Sequence, residues 1–339
     1  MKKSLLALSI LGAFAGVAQA QTNVTMYGIA DVGFVRADNG TNKVSKIDSG
    51  VYSGSRLGFK GTEDLGGGLQ ALFVLETGLN VDAGGFDQGN LAFGRQSYVG
   101  LGGNFGTVKL GRQQTFLFFQ QATIDPFAIG LAGNSAKFFA GPLRLNNTVK
   151  YESPNMNGFN LGYSHSFGEV LGSASAGADN AVNAMYNNGP IMVSAIYDQS
   201  NGPLPLVGSS LKTRTTNIGG TYDFGVAKAH LMFDRTKTDS NGVVAGANAR
   251  DVLVGATVPF GAGNFLIDYI KHTDKAFNNA DAKQYAIGYT YSLSKRTTLY
   301  TSYSRVSNDS AAAFGGLAGA PAVAGQSYKN FDAGVRHSF

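Results

Sequence analysis

Apolar and polar residues alternate with a period of two along successive segments of residues 21–339, each about ten residues long. In residues 284–292, Tyr285, Ile287, Tyr289 and Tyr291 share one face, while the other face carries Gln, Ala, Gly, Thr and Ser. The same alternation recurs at residues 159–167, 252–258 and 331–339. A period of two is typical of β-strands with one apolar face. The chain is therefore predicted to be all-β.

The connections between these segments alternate between short and long. Short turns fall at 65–68, 102–106, 153–158, 188–190, 224–226, 261–264 and 294–296. Long loops fall near 37–54, 81–91, 114–143, 168–180, 199–212, 239–249, 275–282 and 309–326. Seven short turns and eight long loops join sixteen strands, which places both termini at the end with the short turns. An even number of strands with loop lengths segregated in this way is the pattern of outer-membrane barrels.

The strand lengths and the strand number together predict a pore. Strands of about 9 to 12 residues suit a tilted crossing of a bilayer. Lipid offers no partner to an open sheet edge, so the sheet must close on itself. Sixteen strands enclose a lumen too wide for side chains to fill. We therefore predict a 16-stranded antiparallel transmembrane β-barrel around an aqueous channel.

The amino-terminal residues have the composition of a secretory signal. Lys2 and Lys3 precede an apolar run at 5–17, and Ala18, Gln19 and Ala20 form an A-x-A cleavage site. The predicted organisation is a signal peptide over residues 1–20 and a barrel over residues 21–339. Beyond residue 20 the sequence contains no run of about 20 apolar residues, the length that a transmembrane helix needs.

Residue composition argues against catalysis. The chain has no cysteine, which excludes a disulfide framework, cysteine-ligated metals and thiol chemistry. Its four histidines are scattered without metal-ligand spacing. An outer-membrane lipase or protease would need a nucleophile, a base and an orienting group at one rim. No enzyme activity, metal or cofactor is predicted.

Six stretches of the sequence resemble the general porins of neisseriae and related beta-proteobacteria. They are VTMYGIAD (24–31), SRLGFKGTEDLGGGL (55–69), FGRQSYVGL (93–101), FGTVKLGRQ (105–113), NTVKYESP (147–154) and GVRHSF (334–339). The resemblance implies a homotrimer of sixteen-stranded barrels in the Gram-negative outer membrane, among phospholipid and lipopolysaccharide. It also implies insertion by the barrel assembly machinery, for which the C-terminal aromatic residue, here Phe339, is part of the recognition signal.

The third long loop, residues 114–143, is unusually apolar. It carries Phe116, Leu117, Phe118, Phe119, Ile124, Phe127, Ile129, Leu131, Phe138 and Phe139. So apolar a segment is not expected to remain in water. We predict that it folds back into the lumen, as the third loop does in the porins that the sequence resembles. The alternative is an external loop buried in the contact between subunits.

Basic side chains are expected to line the constriction opposite this loop. Arg56 and Lys60 share a face opposite Leu57 and Phe59. Lys150 lies opposite the apolar face of its own strand, and a charge on the lipid face would cost about 2–4 kcal/mol. By the resemblance, Arg56, Arg95 and Lys150 form the basic ladder of the eyelet, with lysine where related porins often carry arginine.

Few acids are available to oppose these cations. Asp125 is the only carboxylate in residues 114–143, and Glu76 on the third strand is a second candidate. A charged narrowing of low dielectric concentrates counter-ions and repels co-ions. We predict an outer-membrane channel for passive diffusion of small hydrophilic solutes, with a preference for anions. The alternatives are a weakly selective pore, a substrate-specific channel for an anionic nutrient, and an additional adhesin or receptor role of the long loops.

Overall fold

The structure, a computed structural model, describes residues 23–139, 141–202, 211–239, 246–315 and 320–339. The predicted signal peptide, residues 1–20, lies outside the described residues. None of the described helices is long and apolar enough to span a membrane.

Sixteen strands and one α-helix make up the described chain. The strands are β1 (Asn23–Asp38), β2 (Lys43–Ser49 and Arg56–Gly66), β3 (Leu69–Asn80), β4 (Gln96–Gly103), β5 (Gly106–Gln114), β6 (Arg144–Glu152), β7 (Phe159–Ser166), β8 (Asp179–Asn188), β9 (Ile191–Asn201), β10 (Lys212–Asp223), β11 (Lys228–Thr238), β12 (Asn248–Phe260), β13 (Gly263–Asp274), β14 (Ala282–Ser292), β15 (Thr297–Asn308) and β16 (Tyr328–Ser338). Helix α1 spans Phe116–Ile124, and a 3₁₀ turn spans Ser135–Lys137. A two-residue ladder, Gly85–Phe86, pairs with the end of β3.

Each strand pairs antiparallel with the next, and the sheet closes between its first and last strands. β1 pairs with β16 from Ile29 opposite Ser338 to Asp38 opposite Lys329. The last residue extends this ladder, because the backbones of Gly28 and Phe339 exchange two hydrogen bonds of 3.1 Å. The predicted sixteen-stranded antiparallel barrel is confirmed.

The first predicted long loop, 37–54, is mostly strand. β1 continues to Asp38, and the chain turns back within residues 39–42, where Asn39 accepts backbone N–H bonds from Thr41 and Asn42. β2 then pairs with β1 in two pieces, and residues 50–55 leave the sheet between them. The expectation of an open loop here was wrong, because the many polar residues of this stretch belong to strand ends. The other connections fall near their predicted positions.

The two faces of the sheet differ as the alternation predicts. On β14, Tyr285 and Ile287 are about half exposed, whereas Gln284, on the opposite face of the same strand, is fully buried. The outward apolar face is the one that suits lipid. The opposite face is called the polar face below.

One part of the polar face is apolar, which the alternation did not predict. Met232, Leu253, Ile270 and Val306 project from β11, β12, β13 and β15 onto this face, and all are fully buried. They pack in one cluster with Phe138 from the loop after β5 and with Phe314 from the loop after β15. The Phe138 and Phe314 rings stack with centres 5.0 Å apart. These side chains form a small core because two loops cover them.

Two substitutions test whether the outward apolar face of the sheet contacts lipid. Ile287 is central in β14 and 51% exposed, and Leu293, in the short turn that follows, is 57% exposed. Ile287→Arg is expected to lower the free energy of unfolding by about 2–4 kcal/mol, and Leu293→Arg by about 0–1 kcal/mol, because the cost of a cation on the lipid face depends on depth. Urea titration of the protein folded into lipid vesicles measures both. Equal losses for the two variants would contradict the assignment of this face to lipid.

Candidate functional site

Loop 3, the connection of residues 115–143, packs along the polar face of many strands; residue 140 is outside the described chain. Helix α1 begins after Thr115, whose hydroxyl oxygen accepts the Phe118 N–H at 3.1 Å. The Gln120 amide donates to the backbone oxygen of Ser194 on β9 at 2.8 Å. His230 on β11 lies with its Nδ1 2.6 Å from the backbone oxygen of Ile124. The helix is therefore attached to the sheet by buried polar contacts.

Glycines on the polar face make room for loop 3. A Cβ atom at Gly162, Gly219, Gly255 or Gly288 would approach within 2.5–3.0 Å of Phe116, Ile124, Pro126 or Phe127, respectively. These glycines lie on β7, β10, β12 and β14, so the loop follows an arc across the sheet. Small residues on the polar face, which the sequence showed, thus give loop 3 a seat close to the backbone.

The far part of loop 3 is held by hydrogen bonds to β14 and β15. The Ala132 N–H donates to the Ser302 hydroxyl at 2.8 Å, and the Gln284 amide donates to the Gly133 oxygen at 2.5 Å. The Lys137 ammonium donates to Gln284 Oε1 at 2.7 Å. Burial lowers the pKa of Lys137, and the nearby carboxylate of Asp268 acts in the opposite direction. The loop is fixed at both ends of its path.

Asp125 organises loop 3 from within. Its carboxylate accepts backbone N–H bonds from Phe127 at 2.8 Å, Ser135 at 2.6 Å and Ile129 at 3.3 Å. The side chain is 3% exposed, and burial raises its pKa while these hydrogen bonds lower it. Asp125 was predicted to oppose the basic residues; the structure places its carboxylate inside the loop.

Arg95 and Glu76 form a buried ion pair. Arg95 Nε lies 2.8 Å from Glu76 Oε1, and the two side chains are 5% and 3% exposed. The second oxygen of Glu76 accepts the Tyr27 hydroxyl at 2.9 Å. Glu76 was predicted to oppose the cations, and the structure places it among them. The negative charge of Glu76 is neutralised by the ion pair with Arg95.

Two further arginines surround this pair. Arg56 is half-buried and its Nε donates to the Gly54 oxygen at 2.8 Å. Arg144, at the start of β6, donates to the backbone oxygen of Arg95 at 3.1 Å. The charges of Arg56 and Arg144 lie within interaction range of Arg95 and of each other. We call Arg56, Arg95, Arg144 and Glu76 the arginine cluster; it carries three cations and one carboxylate.

Arg144 was missed by the sequence analysis. The pairing of β5 with β6 shifts register between Lys150 and Arg144, so the alternation that identifies Lys150 does not extend to Arg144. Arg144 also directly follows the long loop, where a strand boundary is hard to place. Asn147 has a φ of 52°, and this left-handed residue interrupts the strand between Arg144 and Lys150.

Lys150 and Lys60 do not join the arginine cluster through any described hydrogen bond. The Lys150 side chain is buried, with its ammonium 4.5 Å from the Phe116 ring centre and 5.4 Å from that of Phe119. It also donates to the backbone oxygen of Gln114. Lys60 is exposed, with its ammonium 5.3 Å from the Tyr27 ring centre. Lys150 thus supports helix α1, and Lys60 stands apart as an accessible cation.

Besides the predicted acids Asp125 and Glu76, the polar face carries buried aspartates that the sequence did not single out. Seven aspartates lie there, each at most 3% exposed: Asp31, Asp179, Asp198, Asp234, Asp251, Asp268 and Asp332. Asp31 accepts the Tyr300 hydroxyl at 2.6 Å, and Asp332 accepts the Ser302 hydroxyl at 2.6 Å. In the described parts of the chain, no group of three or more histidines and acids is arranged to hold a metal ion.

Removing either partner of the buried Arg95–Glu76 pair is expected to be destabilising. Arg95→Gln and Glu76→Gln should each lower the free energy of unfolding by about 3–5 kcal/mol, because each leaves a buried charge without its hydrogen-bonded ion-pair partner. The double variant should lose less than the sum. Urea titration measures all three.

The control is the pair Lys46–Asp48, which has a shorter contact of 2.7 Å but side chains 35% and 29% exposed. Lys46→Gln is expected to lower the free energy of unfolding by less than about 1 kcal/mol. Additive losses for Arg95→Gln and Glu76→Gln, or equal losses at the two pairs, would show that burial does not strengthen the coupling.

Several known proteins are similar to this chain in sequence and in architecture. The outer membrane porin protein 32 of Delftia acidovorans is 34% identical, with the alignment covering all of both chains. An outer membrane porin protein of Bordetella pertussis is also 34% identical, over 88% of this chain and 93% of that one. The solved structure of an anion-selective porin from Comamonas acidovorans superposes with a TM-score of 0.85 at 31% identity, covering 94% of this chain and 100% of that chain.

A more distant solved structure has the same fold. OmpT of Vibrio cholerae, solved in a trimer form, has a TM-score of 0.71 at 17% identity and covers 94% of this chain. The family model of the Gram-negative porins matches residues 7–311. The closed barrel and these matches agree, and the chain belongs to the Gram-negative porin family: it is an outer-membrane channel protein and not an enzyme.

Proposed function

We propose that this porin is an anion-preferring diffusion channel for small hydrophilic solutes, and that loop 3 and the arginine cluster form its constriction. The observation that carries the proposal is the charge balance of the cluster. Arg56, Arg95 and Arg144 supply three cations, and Glu76, the one carboxylate of the cluster, is bonded to Arg95 and Tyr27. The cluster therefore keeps a net positive charge for a passing solute.

The contacts of loop 3 support its place in the lumen. Its hydrogen bonds reach Ser194, Gln284 and Ser302, all on the polar face. The apolar face is exposed outside, so the polar face surrounds the interior of the closed sheet. A loop seated on that face narrows the channel on one side. These contacts disfavour the alternative of an external loop buried between subunits.

The aspartates of the polar face do not offset the arginine cluster in contact with solute. All seven are at most 3% exposed, whereas Arg56 and Arg144 are half-buried and reach water. Many of these carboxylates accept hydrogen bonds within the wall, as Asp31 does from Tyr300 and Asp251 from His272. At the arginine cluster, a solute therefore touches guanidinium groups rather than the carboxylates of these aspartates.

The assembly proposed is a homotrimer inserted by the barrel assembly machinery. A trimer form has been solved for OmpT of Vibrio cholerae, which shares the fold. The Phe339 side chain, at the closing seam of the sheet, is 49% exposed and so accessible to a recognition factor. Outer-membrane phospholipid and lipopolysaccharide would contact the exposed apolar face.

Neutralising the cluster is expected to remove the preference. In a planar bilayer with a potassium chloride gradient, the wild type should give a chloride-to-potassium permeability ratio above 1. Arg56→Gln/Arg144→Gln should lower that ratio several-fold, because a fixed charge raises the local counter-ion concentration. Raising the salt from 0.1 M to 1 M shortens the Debye length from about 10 Å to 3 Å and should weaken the wild-type preference.

The matched control is Arg235→Gln/Lys271→Gln, which removes two exposed cations from the outward face of β11 and β13. It should leave the permeability ratio unchanged. An equal shift in both double variants would assign selectivity to the overall charge. A wild-type ratio at or below 1 would contradict anion preference while leaving the channel itself in place.

A further inference from the structure

A cavity of about 410 Å³ lies between helix α1 and strands β6 to β9. Phe116 and Phe119 from the helix and Met185 and Met192 from the strands form its apolar wall. Its polar residues include Glu152, on β6. Pockets of about 300–1,000 Å³ with an apolar wall and a few polar groups are the usual form of small-molecule sites. An apolar recess of this kind is unexpected beside a channel for ions.

The aromatic wall is held in place before any ligand arrives. The Lys150 ammonium lies 4.5 Å from the Phe116 ring centre and 5.4 Å from the Phe119 ring centre. The absence of a side chain at Gly162 lets Phe116 approach the sheet, where a Cβ would come within 2.5 Å of the ring. Phe119 nevertheless remains 45% exposed. A rigid, accessible ring offers a stacking surface at little entropic cost.

The polar residues of the cavity indicate which chemical class of solute it could bind. Glu152 accepts the Lys109 ammonium through one oxygen, and an ionised carboxylate has capacity for further donors. The other polar residues of the lining are uncharged donors and acceptors: Gln120, Thr123, Asn160, Asn183 and Ser194. This lining suits a neutral molecule that joins an aromatic ring to hydroxyl groups.

We propose that this cavity binds neutral solutes that join an aromatic ring to hydroxyl groups, such as aryl glycosides, and retains them during passage. The ring stacks on Phe119 and contacts Met185, while a hydroxyl donates to Glu152. The proposal rests on the proposed function, because the solute reaches the cavity through the open lumen. It adds a class of retained solute that charge selection alone does not provide.

Current block by two glucosides tests the site. Phenyl β-glucoside, added at millimolar concentration to a wild-type channel in a planar bilayer, should cause transient blocks, and methyl β-glucoside, which lacks the ring, should not. Phe119→Ala should raise the half-blocking concentration of phenyl β-glucoside about 2- to 12-fold, since an aromatic pair is worth about 0.5–1.5 kcal/mol beyond area burial. Met185→Ala should raise it as well, and is the second variant if Phe119→Ala does not fold.

The neighbouring ring supplies the control. Phe118 meets Phe119 edge-on with centres 5.9 Å apart, but it faces Arg144 and does not line the cavity. Phe118→Ala should keep the wild-type block. Equal block by both glucosides, or a block unchanged in Phe119→Ala and Met185→Ala, would overturn this inference alone. A wild-type protein that folds but never conducts would instead overturn the proposed function.

Discussion

Closure of the sheet is the constraint on which the other features depend. In a bilayer each backbone N–H and C=O must be paired by the protein, and an open β-edge leaves a row of them unpaired. The ladder between β1 and β16, completed by the two bonds between Gly28 and Phe339, removes that edge. Once the sheet is closed, one face lies outside and the other inside. The alternation of apolar and polar residues then separates a lipid-facing surface from the interior of the barrel.

Loop 3 packs close to the polar face of the barrel because four positions on that face carry no side chain. The loop places side chains where a Cβ atom on the wall would stand: Phe116 at Gly162, Ile124 at Gly219, Pro126 at Gly255 and Phe127 at Gly288. Asp125 and Lys137 are used to hold the loop together and to the wall. Asp125 and Lys137 therefore stabilise the conformation of loop 3. In the proposed function, the charge that a solute meets comes from the arginine cluster, where Glu76 neutralises one cation of three.

Much of the architecture was predictable because it depends on local patterns. The alternation in residues 284–292 gave the outward face of β14, and the segregation of loop lengths gave sixteen strands. The alternation of residues 252–258 places Leu253 on the polar face, but it could not show that apolar side chains would be buried there, since that depends on Phe138 and Phe314 arriving from distant loops to cover them. Long-range packing overrides the local pattern there.

The candidate site was predicted in part for the same reason. Arg56 and Arg95 were identified from strand parity and family resemblance, and the structure brings both close to Arg144. The roles of Glu76, Asp125 and Lys150 depend on which partner each side chain finds in three dimensions. Glu76 pairs with Arg95, Asp125 caps its own loop, and Lys150 lies against two phenylalanine rings.

The most direct measurement is anomalous diffraction from crystals of the protein soaked in bromide and, separately, in rubidium. Bromide is expected to occupy positions beside the guanidinium groups of Arg56 and Arg144, and rubidium is not expected to occupy the proposed constriction. Rubidium bound at the aspartates of the polar face, with no bromide at the arginine cluster, would contradict the claim that the positive charge of this cluster is what a permeating ion meets.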